Sequence, residues 1–164
     1  MKKVILIFIS ATLLWGCKKE SNISKIPELK FKEYKIFGGD SLQVTVSFTD
    51  GDGDVGLNDE DTNGSFSPSS FAFNNLFLYY QVMSDDSSFN YFQYNIDGGV
   101  DSLKWRYRFK SITPAGQKKV LEGDITATLL APYKWPTHTN YRYQIFLLDR
   151  ALNKSNVVTS GLIK

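Results

Sequence analysis

From Pro27 onward, apolar and polar residues alternate with a period of two over most of the chain. That period is the signature of half-buried β-strands. Leu29, Phe31 and Tyr34 alternate with Lys30, Lys32 and Glu33 in a first strand, and Gly38-Gly39-Asp40 makes a turn. A second strand carries Leu42, Val44, Val46 and Phe48 on one face. Residues 75–83 place Phe77 and Tyr79 on one side and Leu76, Leu78 and Tyr80 on the other. A strand apolar on both faces belongs in the middle of a sheet. An aromatic strand follows over 89–96 and ends at Asp97-Gly98-Gly99. The sharpest alternation sets Leu103, Trp105, Tyr107 and Phe109 against Lys104, Arg106, Arg108 and Lys110, a core face against a basic outer face. Strands over 120–130, 141–147 and 157–163 complete the pattern. With no helical stretch and no internal repeat, it predicts an all-β fold, an antiparallel sandwich of seven to eight strands filling residues 27–164.

The second strand runs directly into Phe48-Thr49-Asp50-Gly51-Asp52-Gly53-Asp54-Val55-Gly56, with three aspartates at alternate positions. Carboxylates packed so closely repel one another unless a cation sits among them. Calcium, a hard ion taking six to eight oxygens in loose geometry, suits them best. The competing reading is a solvated turn, since Asp-Gly pairs are also hairpin chemistry. In an immunoglobulin-like sandwich, the loop after the second strand and the loop before the last lie at the same end. The latter is Leu148 to Asn156, so Asp149 and Asn153 join Asp50, Asp52 and Asp54 as candidate ligands. An EF-hand is excluded: Val55 replaces its glycine, Asp61 its final glutamate, and strands flank the loop. The next segment, 57–74, has no periodicity, and Phe66, Phe71 and Phe73 predict that it folds back on the sandwich.

The amino terminus tells of location. Met1-Lys2-Lys3 precedes an uncharged run from Val4 to Leu14, too short to span a bilayer and proportioned as a signal-peptide core. It ends in Leu14-Trp15-Gly16-Cys17, which resembles the lipobox of bacterial lipoproteins, with Trp15 where that family carries a small residue. The resemblance implies cleavage after a signal peptide of residues 1–16 and lipid on Cys17. Residues 17–26 are then the lipidated cysteine and a polar tether, able to reach about 30 Å if extended at ~3.3 Å per residue. Cys17 is the only cysteine, so an intramolecular disulfide or a cysteine-based zinc or catalytic site is excluded.

Phe48 to Gly56, together with Tyr143 to Thr159, resembles small uncharacterised lipoproteins of bacteroidetes type. The second stretch is also similar to the last strand pair of immunoglobulin and fibronectin type III-like modules. The resemblance implies an immunoglobulin-like sandwich in the cell envelope, lipid-anchored to the outer membrane on its periplasmic or surface side.

Removal of 16 of the 164 residues leaves 148, and the loss of Lys2 and Lys3 leaves 17 basic against 17 acidic side chains. A neutral domain gives no electrostatic reason to bind nucleic acid. Hydrolase chemistry finds little support. Gly-x-Ser-x-Gly is absent, His138 is the only histidine, and Glu122 with Asp124 reads as a solvated strand face. Tyr133 and Trp135, in a proline-bracketed loop, are candidate ligand-binding aromatics or a cap on the core. The sequence therefore points to a non-catalytic, calcium-stabilised envelope module whose partners are the membrane and a glycan or an envelope protein. The alternative is a calcium-dependent hydrolase or accessory subunit acting on extracellular glycan.

Overall fold

The period-two stripes become two antiparallel sheets with their apolar faces together. The computed structural model describes residues 23–37, 41–96, 99–112, 119–130 and 140–164. Residues 1–22, with the expected signal peptide, Cys17 and most of the expected tether, and residues 131–139, which hold Tyr133, Trp135 and His138, lie outside the described residues.

Ten strands are described. The first sheet has the order β1-β2-β8, with β1 (Glu28–Phe37), β2 (Ser41–Asp50) and β8 (Leu121–Leu130). The second has the order β10-β9-β3-β4, from β3 (Leu76–Met83), β4 (Phe89–Tyr91), β9 (Tyr141–Leu147) and β10 (Val158–Thr159), and β7 (Lys104–Tyr107) also pairs with β3. β5 (Gln93–Ile96) and β6 (Gly99–Ser102) form a separate ribbon. The chain therefore crosses between layers after β2 and on either side of β8.

The core is the meeting of the inward stripes. Leu42, Val44, Val46 and Phe48 of β2 pack with Leu76, Leu78 and Tyr80 of β3 and Tyr141, Tyr143, Ile145 and Leu147 of β9. Trp105 packs against this core, its ring 5.5 Å from that of Tyr143 and 6.4 Å from that of Tyr80. On the other face of β3, Phe77 is buried with Phe146 and Leu148 under the long loop, and Phe71 stacks on Phe77 at 4.4 Å. β3 is thus covered on both sides, as its composition predicts.

Three elements depart from the sequence pattern, two of them where side chains take over the backbone bonding. The strand expected over 103–110 stays on β3 only as far as Tyr107, because Asn75 grips Phe109 at both its N–H (2.9 Å) and its carbonyl (3.0 Å). The chain then turns to Leu57, whose N–H donates to the Phe109 carbonyl at 3.1 Å. The aromatic strand over 89–96 breaks at Phe92, whose ring turns edge-on to Tyr80, and residues beyond it pair with an unforeseen strand, β6. The closing strand over 157–163 is interrupted: Val158 and Thr159 pair with β9, the Ser160 hydroxyl accepts from the Tyr143 N–H at 2.9 Å, and pairing resumes only at Ile163 with Tyr141.

Candidate metal centre

Two inward stripes end in aspartate. β2 runs Leu42, Val44, Val46, Phe48, and the next inward position is Asp50. β9 runs Tyr141, Tyr143, Ile145, Leu147, and the next step of two is Asp149. The two strands belong to opposing sheets, so both carboxylates are delivered into the end of the core. Asp50 is 0% exposed and Asp149 is 1% exposed.

The third carboxylate arrives by a turn. Gly53 adopts φ +70°, a left-handed conformation costly for other residues. It carries the chain round so that the Asp54 N–H donates to Asp50 Oδ2 at 2.9 Å. One oxygen from each of Asp50, Asp54 and Asp149 then lies within 4.8 Å of the others. Hydrogen bonds tie Asp54 by one oxygen and Asp149 by both to the frame. Asp54 Oδ2 accepts from the Ala151 N–H at 3.1 Å, and Asp149 accepts from the Asn153 N–H at 2.7 Å and from its side-chain amide at 2.8 Å.

What is left over defines the site. Asp50 Oδ1, Asp52 Oδ1 and Asp54 Oδ1 are buried without a hydrogen-bond donor. A buried carboxylate oxygen without a partner costs several kcal/mol, so three together are a grouping that could hold a cation. Burial, aided by the neighbouring carboxylates, pushes the Asp50 carboxyl up to about 6. Burial likewise raises Asp54, with the Asp149 charge next, and Asp149 itself, against the pull of its bonds to Asn153. The Arg150 charge offsets this at Asp54 only in part, its guanidinium being paired with Asp61. Arg150 places Nη2 2.6 and 2.5 Å from the two oxygens of Asp61, while its backbone N–H donates to the Asp54 carbonyl at 3.1 Å.

The structure brings together Asp50, Asp54 and Asp149, three of the five residues singled out by sequence. Asp52 turns one buried, unpartnered oxygen inward without joining the trio. Asn153 stands behind the site and holds Asp149 in place. Sequence reasoning leaves out Asp61 and Arg150, which tie the long loop to the site. It also leaves out the Ser24 carbonyl, which accepts from the Gly51 N–H at 2.8 Å. A side chain at Gly51 would collide with the carbonyls of Ile23 and Ser24, so the segment entering the domain lies directly on the acidic loop. Among the other carboxylates, Asp124 is occupied by Lys32 at 2.5 Å and Ser47 at 2.7 Å, which hold it below the usual carboxylate range.

Comparisons with protein families, with curated proteins and with solved structures find no match to this chain.

Proposed function

We propose that the protein is a non-catalytic module of the bacterial cell envelope, anchored by lipid on Cys17 and stabilised by calcium at Asp50, Asp54 and Asp149, with Asp52 as a further ligand. The observation that carries this reading is the convergence of Asp50, Asp54 and Asp149 from two opposing sheets, with one buried, donor-free oxygen on each of Asp50, Asp52 and Asp54. Calcium holds oxygens at about 2.3–2.6 Å, so two of its ligands lie no more than ~5 Å apart. The trio meets that limit at 4.8 Å. The immunoglobulin-type reading is supported by the strand order, since β1-β2-β8 opposite β10-β9-β3 matches the A-B-E and G-F-C arrangement of that sandwich. The lipobox-like Leu14-Trp15-Gly16-Cys17 supports the envelope location. A non-catalytic role is favoured because Asp124, the carboxylate nearest to a hydrolase pair with Glu122, is bound by Lys32 and Ser47.

The test is thermal unfolding of the protein with calcium and with chelator. Extracellular calcium modules bind at ~10⁻⁴ to 10⁻³ M. At ten times the dissociation constant, linkage stabilises by about 1.4 kcal/mol, which raises the melting temperature by a few degrees. Asp50→Asn and Asp149→Asn should abolish that rise, and magnesium should not reproduce it. Identical melting curves with calcium and chelator, with no calcium binding by calorimetry up to several millimolar, would refute the metal reading.

A further inference from the structure

The outer face of the five-stranded sheet carries a row of rings separate from the core. Phe71, Phe77, Phe146 and Tyr79 stack in succession at 4.4, 4.8 and 5.9 Å, all within 19° of parallel. The inner members are covered, but Phe71 at the end of the row is 50% exposed. One face of its ring lies flat on Phe77, and the ring is otherwise open. Beside it runs a groove of about 670 Å³ lined by Ser69, Ser70, Phe71, Asn74, Lys104 and Arg106. Lys104 is engaged by Asp101 at 2.5 Å. Arg106 is exposed, stands opposite Phe77 in the β3–β7 register, and its guanidinium makes no hydrogen bond or salt bridge among the described residues, feeling Asp101 only through its charge.

The platform is held in place before any ligand arrives. The Arg108 guanidinium lies 4.7 Å over the Phe73 ring and donates to the carbonyls of Phe73 (2.6 Å), Asn58 (2.7 Å) and Asp61 (2.8 Å). That grip fixes both ends of the loop carrying Phe71, so little ordering entropy is lost on binding.

We infer that this groove binds an anionic sugar chain of the uronic acid type, with a pyranose ring on Phe71 and its carboxylate on Arg106. A fixed flat ring presents its negative face to the C–H edge of a pyranose. The guanidinium fork matches a carboxylate in two parallel hydrogen bonds. Ser69 and Asn74 add a hydroxyl and an amide, able to donate to or accept from sugar hydroxyls. An acidic peptide would satisfy Arg106 but would bring no rigid C–H face to Phe71. This assignment depends neither on the ion nor on the anchor.

The experiment is calorimetric titration of the full chain with a short oligogalacturonate, a neutral cello-oligosaccharide of equal length, and polyglutamate of matched charge. The oligogalacturonate should bind, the neutral sugar should bind at least about tenfold more weakly, and Arg106→Gln should weaken the acidic sugar by about tenfold. Phe71→Ala should produce a similar loss. If that variant fails to melt cooperatively, Phe71→Leu, which keeps contact with Phe77 but lacks the flat face, takes its place. Lys30→Gln, on the opposite sheet, should change nothing. Absence of oligogalacturonate binding, or equal binding by Arg106→Gln, overturns the proposal. Polyglutamate binding as tightly as the sugar overturns it as well, and assigns the groove to acidic peptides.

Discussion

Asp50 occupies a position where the inward stripe of β2 would next place another Val or Phe. Its burial makes it a carboxyl that resists ionisation, raised to about 6 from an ordinary value near 3.8. The sign of the resulting pH dependence follows from proton counting. Between the unfolded value and about 6 the native state holds more protons than the unfolded chain, so stability falls as pH rises through that window. At ~1.4 kcal/mol per unit, Asp50 should cost on the order of 2–3 kcal/mol at pH 7.5 relative to pH 4. Asp54 and Asp149 shift the same way and add to the trend. A cation reverses it, because it binds only the ionised carboxylates. In chelator the melting temperature should therefore drop between pH 5 and pH 7.5, whereas with calcium at saturation it should hold or rise. Asp50→Asn should flatten the chelator curve. Parallel pH profiles with and without calcium would show that the three carboxylates do not share an ion.

At the scale of elements, the alternation in the sequence is a faithful guide to the long strands of both sheets, though not to the β5–β6 ribbon. The stripes of β2, β3, β8 and β9 are all readable, and extending two of them by one step reaches Asp50 and Asp149. The pattern fails where a side chain replaces the ladder. Nothing in the spacing of residues 103–110 reveals that Asn75 will seize Phe109, or that Arg108 will leave the outer basic row to hold a loop forty residues away in sequence. The same limit hides Asp61 and Arg150, whose ion pair joins residues 89 positions apart. Arg108 allows a direct measurement. Its planar fork reaches three carbonyls at once, and a lysine keeps the charge but not that reach. Arg108→Lys should cost about 2 kcal/mol and make residues 57–75 the first site of limited proteolysis. Unchanged cleavage there would mean that Phe71 stacked on Phe77 secures the loop without the guanidinium.

Over the whole molecule, the proposed ion site lies where the amino-terminal segment enters the domain. Residues 23 and 24 lie on Gly51, so the chain arriving from Cys17 meets the domain at the pole where Asp50 and Asp149 converge. On the lipid-anchored reading that pole would face the membrane, and the stretch between Cys17 and residue 23, at ~3.3 Å per residue, could carry it no more than about 20 Å away. On that reading the chain left after cleavage carries 17 basic and 17 acidic side chains, so electrostatic attraction to a lipid surface would contribute little and attachment would rest on acyl chains. Each buried methylene contributes ~0.8 kcal/mol, and two or more chains make release negligible. The wild-type protein should therefore stay with membranes through a high-salt wash and leave only in detergent. Its first residue should be a lipid-modified Cys17 by mass spectrometry. Cys17→Ser, examined in the fraction whose signal segment has been removed, should be soluble, with a melting temperature and calcium response equal to those of the wild type. Retention of that processed variant on membranes would place the attachment in the domain itself and remove Cys17 from the mechanism.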